Sequence, residues 1–135
     1  MITVWTNGCF DVLHRGHIEM LKYAKSLVAI LIVGIDTDSK VKKDKGPSRP
    51  FNTVKDRKFL LESIKYVDKV VCFSSKQHLE DTIEEYSPDY LVVGSDYRDR
   101  EVVGSQHSKQ VVFFDRIPKY STRDLAYFNI SMCPL

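Results

Sequence analysis

Five short apolar runs, each followed by helical periodicity or by a long polar segment, constrain this chain more than any other feature. The runs cover residues 2–6, 28–35, 69–73, 90–93 and 110–114. They are rich in Val, Ile and Phe and nearly unbroken, the pattern of strands in a sheet covered on both faces. Helical patterns lie between them. One covers His17 to Ser26. A second starts near Thr53 and sets Val54, Phe59, Leu60, Leu61 and Ile64 among charged residues. A third runs from Lys76 to Tyr86, carries Leu79 and Ile83 on one side, and stops before Ser87-Pro88, where a proline disfavours helix. Strand alternating with helix predicts an α/β fold with a doubly wound, parallel five-stranded sheet. No repeat or linker interrupts the 135 residues, so a single domain over 1–135 is expected.

The first run leads into Asn7-Gly8-Cys9-Phe10-Asp11 and then His14-Arg15-Gly16-His17, followed by Ile18, Leu21 and Ala24. That order is strand, glycine-containing turn, helix start. A helix start offers unpaired N–H groups and the positive end of its dipole, which suits phosphate. Two imidazoles and a glycine at that point make a place for developing negative charge, at the strand end where open α/β sheets bind ligands.

Two segments are too long to be plain connectors. Residues 36–52 read as a loop carrying Lys40, Lys42, Lys43, Lys45, Gly46, Arg49 and Pro50. Residues 94–109 read as a loop with Ser95, Asp96, Tyr97, Arg98 and Arg100. Both follow strands, so both are expected on the same sheet edge as the histidines. A third basic segment, Arg116 to Leu125, places Ser121 or Thr122 as the cap of a further helix start.

Composition narrows the function. Twenty Lys and Arg against 18 Asp and Glu leave a net charge of +2, too balanced for a nucleic-acid binder by charge alone. Three scattered cysteines with no CxxC pair argue against a zinc site or a disulfide framework and fit a reducing cytoplasm. No signal peptide or bilayer-spanning run is recognisable, so no membrane partner is expected. Serine–histidine–acid, HExxH and P-loop patterns are absent. A polyanion such as a nucleoside triphosphate is the natural occupant of the basic edge.

Gly8-Cys9-Phe10-Asp11…His14-Arg15-Gly16-His17 matches G-x-F-D-x-x-H-x-G-H, and Arg116…Tyr120-Ser121-Thr122-Arg123 resembles R-x-x-x-[IVY]-S-T-[TS]. With these two motifs in order, the chain resembles the cytidylyltransferase-like family of nucleotidyltransferases, up to about residue 125. The resemblance implies a Rossmann-like fold and a reaction of a nucleoside triphosphate with a phosphorylated small molecule, releasing pyrophosphate. It implies His14 and His17 as donors to the α- and β-phosphates. Lys42 or Lys45 would bridge the acceptor phosphate and the triphosphate, while Arg116, Ser121 and Thr122 would hold the β- and γ-phosphates. Gly8, Cys9, Phe10, Gly16, Gly94, Asp96 and Arg123 would line the nucleotide. Arg49 and Arg57 are candidates for the acceptor side, each readable instead as a structural ion pair, Arg57 equally so. Mg²⁺ is the expected companion, with Asp11 either a metal contact or a carboxylate bonding loop amides. A homodimer is expected by the same analogy.

Two branches compete within the resemblance. The segments Lys45 to Asn52 and Gly94 to Ser105 are similar to heptose-1-phosphate adenylyltransferases. Arg116 before the Ser-Thr pair is similar to glycerol-3-phosphate cytidylyltransferases, and Val93 stands where the heptose branch usually has lysine. On these two residues CTP with glycerol-3-phosphate is preferred over ATP with a heptose phosphate. Arg123 and the unmatched tail after Leu125 leave room for a nucleotide-binding module of reduced activity. Lys22 and Lys25 read as solvated, and nothing is assigned to His78 or His107.

Overall fold

The computed structural model describes residues 2–27 and 30–115. In chain order its elements are β1 (Thr3–Gly8), α1 (Arg15–Ser26), β2 (Ile30–Asp36), α2 (Asp38–Lys45), α3 (Val54–Glu62), β3 (Lys69–Phe73), α4 (Lys76–Tyr86), β4 (Tyr90–Gly94) and β5 (Gln110–Phe114). The five strands pair in parallel in the order β3-β2-β1-β4-β5. This is the expected doubly wound, Rossmann-like sheet, with its direction of winding reversing between β1 and β4.

One expected loop is partly a helix. Residues 38–45 form α2, capped by Thr37, whose hydroxyl accepts from the Lys40 N–H at 3.4 Å. Apolar periodicity could not reveal it, because Val41 is the one residue of α2 that is buried. Of the expected loop 94–109, Gly94 ends β4 and residues 95–109 are irregular apart from 3-10 turns at Ser95–Tyr97 and Ser105–His107.

Both sheet faces are covered, with side chains alternating between them as a strand requires. Val4, Leu31, Val33, Ile35, Val70 and Val92 pack with Leu21 and Ala24 of α1 and Leu61 of α3. Trp5, Ile32, Phe73 and Leu91 pack with Leu79 and Ile83 of α4. Each such fully buried aliphatic stabilises by roughly 1.5–3 kcal/mol. On the second face Gly34 leaves room for the Trp5 indole: a Cβ there would sit 2.4 Å from Trp5 Cζ2 and 3.2 Å from Phe73 Cε1. Both rings are buried on all sides and cannot yield. Gly34→Ala should therefore destabilise by about 1–3 kcal/mol through overpacking, measured as a shift in the urea midpoint at unchanged slope.

The amino-terminal edge of the sheet is fastened by two carboxylates. Asp68 Oδ2 accepts from the Leu31 N–H at 2.7 Å and from the Lys25 ammonium at 2.5 Å. Lys25, expected to be merely solvated, thus ties α1 to the segment before β3. Burial pushes the Asp68 carboxyl up, but the two donors outweigh it and hold it below the ordinary aspartate value. Asp89 accepts from the Thr3 N–H at 2.8 Å and pairs with Lys109 at 2.9 Å, joining the starts of β1, β4 and β5. Chemistry is left to the other edge.

Candidate active site

At the carboxyl edge the ladder between β1 and β4 ends at Trp5↔Leu91, short of Gly8 and Gly94, whereas β1 and β2 pair through Gly8↔Ile35. The last bridge across the gap is the buried Thr6 hydroxyl donating to the Val92 carbonyl at 2.8 Å. Above it lies the topological switch point, where such sheets hold ligands.

The turn from Gly8 to His14 forms one wall. Phe10 adopts a left-handed backbone, φ 51°, and its side chain is buried. Asp11 is buried too. Its Oδ2 accepts from Arg49 Nε at 3.1 Å and from the Phe51 N–H at 2.7 Å, its Oδ1 from the Asn52 N–H at 2.8 Å. Asn52 closes the circuit by donating its side-chain amide to the Asp11 carbonyl at 2.6 Å. Of the two readings of Asp11, the carboxylate bonding loop amides is the one this geometry matches. With three N–H donors on its oxygens it does not fit as a metal ligand, and the described residues contain no cluster of three or more His, Cys, Asp or Glu suited to a metal.

Of the two readings of Arg57, the structural ion pair is the one this geometry matches. Arg57 is fully buried, donating from Nε to the Asn52 carbonyl at 3.0 Å, from Nη1 to the Cys9 carbonyl at 2.9 Å and from Nη2 to Asp38 Oδ1 at 2.8 Å. Its fork locks the turn after β1, the start of α2 and the start of α3 together. Arg49 stays partly exposed, its guanidinium 4.8 Å from the centre of the exposed Phe51 ring.

His14 is the N-cap of α1, with its carbonyl accepting from the His17 and Ile18 N–H groups at 3.0 and 3.3 Å. The His14 N–H donates back to His17 Nδ1 at 3.2 Å. A neutral imidazole whose Nδ1 accepts carries its proton on Nε2, so this bond fixes the His17 tautomer as a donor through Nε2. The two rings stack, centroids 3.8 Å apart at 25°, and Phe10 packs 5.2 Å from His17 at 59°. Among the described residues no backbone bond uses the N–H groups of Arg15 or Gly16, and no acidic side chain lies in the first turn of α1. The helix start is therefore open to an anion.

The cations divide into committed and available ones. Lys40 is paired with Asp36 at 3.2 Å and Asp44 at 2.6 Å; burial pulls its ammonium down, but the two carboxylates hold it above the ordinary lysine value. Lys42, Lys43 and Lys45 are exposed on the last turn of α2. Burial pushes the Cys9 thiol up, and the charges of Lys45 and Arg57 oppose that, which places Lys45 beside the turn. Cys9 itself is half-buried and Gly16 occupies the second position of α1. Gly94 ends β4 opposite Phe114, and Asp96 follows in an exposed 3-10 turn. Arg116, Ser121, Thr122 and Arg123 lie outside the described residues, after β5 has ended on this same edge.

The residues that sequence reading missed are Asn52, Asp38 and Phe51. The bonds of Phe51 and Asn52 to Asp11 and of Asp38 to Arg57 span 19 to 41 positions, and only Thr53, capping α3 immediately after Asn52, hinted that this corner is tightly built.

Comparison with known proteins agrees with this geometry. A family model described as cytidylyltransferase-like matches residues 5–125. The bifunctional protein HldE of Helicobacter hepaticus is 45% identical over 122 residues, covering 90% of this chain and 25% of that protein. HldE of a Nitratiruptor species is 47% identical over 119 residues, covering 88% and 26%. The chain thus spans about a quarter of the length of these curated relatives. Among solved structures, a lipopolysaccharide core biosynthesis protein from Thermoplasma volcanium superposes with a TM-score of 0.66 at 28% identity, covering 90% of this chain and 99% of that one. A protein with unknown function from Archaeoglobus fulgidus, 16% identical with a TM-score of 0.69, shares the fold.

Proposed function

Because the chain belongs to the cytidylyltransferase-like family of nucleotidyltransferases, we propose that it transfers an adenylyl group from ATP to the phosphate of a sugar 1-phosphate of the heptose type. The observation that carries this is the identity with HldE proteins, 45% over 90% of the chain. The segments Lys45 to Asn52 and Gly94 to Ser105 point the same way. This replaces the preference for CTP and glycerol-3-phosphate, which rested on Arg116, outside the described residues, and on Val93.

In the proposed step an acceptor phosphate oxygen attacks the α-phosphorus of ATP. A new P–O bond forms, the bond to the β-phosphate oxygen breaks, and pyrophosphate leaves with the electron pair. The acceptor phosphate is already ionised, so no general base is needed. Catalysis reduces to bringing two anions together in line and neutralising the charge that builds. His17, donor through Nε2, and His14 beside it serve the α- and β-phosphates, with the Arg15 and Gly16 N–H groups contributing the positive end of α1. Lys45 and Lys42 bridge the two substrates, and Arg49 takes the acceptor phosphate. Gly8, Cys9, Gly94 and Asp96 border the nucleoside across the switch point. Arg116, Ser121, Thr122 and Arg123, outside the described residues, keep the triphosphate roles that the resemblance implies. Mg²⁺, the companion the resemblance implies, would supply charge neutralisation at the triphosphate, and Asp11, whose oxygens accept from three N–H donors, is not a residue that would hold it.

Pyrophosphate release measured with ATP or CTP against heptose 1-phosphate or glycerol 3-phosphate tests this. Turnover confined to ATP and the sugar phosphate is expected. Faster turnover with CTP and glycerol phosphate would reverse the assignment, and nucleotide binding without release under every pairing would identify a binding module.

A further inference from the structure

Phe10 combines two features that are costly apart and informative together. A bulky side chain at positive φ is an outlier, worth on the order of 1–3 kcal/mol of strain, and such strain persists where the surroundings dictate it. Here the surroundings are the site. The ring is 4% exposed, so it offers almost no surface to a nucleotide. One side meets Gly8, where an added Cβ would fall 3.2 Å from Phe10 Cε2. The other meets the His17 ring, 5.2 Å away and tilted by 59°.

We infer that Phe10 is a positioning residue: its ring, wedged between the backbone of Gly8 and the imidazole of His17, holds His17 in the rotamer in which Nδ1 accepts from the His14 N–H and Nε2 presents its proton. The nucleotide-lining role that the resemblance implied for Phe10 then belongs to its neighbours. The left-handed backbone follows from this function, since it turns the ring back beneath the helix start. His14 also stacks on His17, at 3.8 Å between centroids, so two aromatic neighbours pack against this imidazole. A rotated His17 would lose the bond at Nδ1 and with it the reason for a single tautomer.

This inference rests on the reading of His17 as a phosphate donor, but its test has an arm that does not. Long-range ¹H–¹⁵N spectra of the nucleotide-free protein report the His17 tautomer directly. Wild type should show the Nε2–H form alone, and a mixture or the Nδ1–H form would overturn the inference without any variant. Phe10→Leu, which keeps an apolar filler but no flat ring, should give mixed tautomers. It should also lower kcat for pyrophosphate release by on the order of 10–10²-fold, with KM for ATP within about twofold of wild type. A rise in KM at unchanged kcat would mean that the ring contacts the nucleotide. Unchanged kcat, or lost kcat with the tautomer intact, would equally remove the positioning role. Should the leucine variant fail to fold, Phe10→Met carries the same expectations. If wild type turns over no nucleotide at all, the tautomer arm still decides the inference while the functional reading falls.

Discussion

His17→Ala is expected to lower kcat for nucleotidyl transfer by about 10²–10³-fold, the usual cost of losing one preorganised donor to a developing negative charge. In the proposed step the imidazole serves the point where charge accumulates, so kcat should fall further than KM for the nucleotide rises. The fold should survive. His17 accepts from the His14 N–H at 3.2 Å, and losing that bond costs about 1 kcal/mol. Steady-state pyrophosphate release, read beside the melting curve, separates the two effects. Turnover within a few-fold of wild type in a folded variant would take the imidazole out of the mechanism.

Arg57→Ala should do the opposite, unfolding the protein far more than it disturbs chemistry. Removing the guanidinium strands the Asn52 and Cys9 carbonyls and the Asp38 carboxylate at 2.8–3.0 Å from an empty space. With the Asp38 side chain one-third exposed, the cost falls mainly on the two stranded carbonyls and the cavity, about 2–4 kcal/mol. For a domain of 135 residues that corresponds to a fall in melting temperature on the order of 10 °C. Lysine should not rescue it, because a point charge cannot reach three acceptors set for a planar fork. An acceptor-binding Arg57 would instead raise KM for the sugar phosphate at unchanged stability, and that result would reinstate the role the sequence suggested.

The two variants mark how far the sequence was legible. Strand and helix positions follow from local periodicity, and β3, α4 and β5 begin and end where the apolar and helical patterns do. The histidine pair was legible because its chemistry and its place after a strand agree. α2 was not, since it buries one residue and is held by the Thr37 cap and the Lys40 pairs. Nor could Arg57 be assigned. Whether a guanidinium faces solvent or three acceptors is decided by segments 5 to 48 positions away, and residue type carries no trace of that. Asp11 illustrates the same limit from the other sign of charge: a motif aspartate beside two histidines suggests a metal cation, yet its partners are two amides and a guanidinium of a distant loop.

The stitching of the strand starts by Asp68 and Asp89 leaves this domain with a self-sufficient foundation and an independent crown. Because the foundation does not draw on the exposed residues 96–101 for its hydrogen bonds, that stretch can lengthen, shorten or exchange residues with little thermodynamic penalty. A lineage built on such a plan can change which nucleobase and which acceptor it admits while its scaffold stands untouched, and specificity becomes the part of the molecule that evolution edits first.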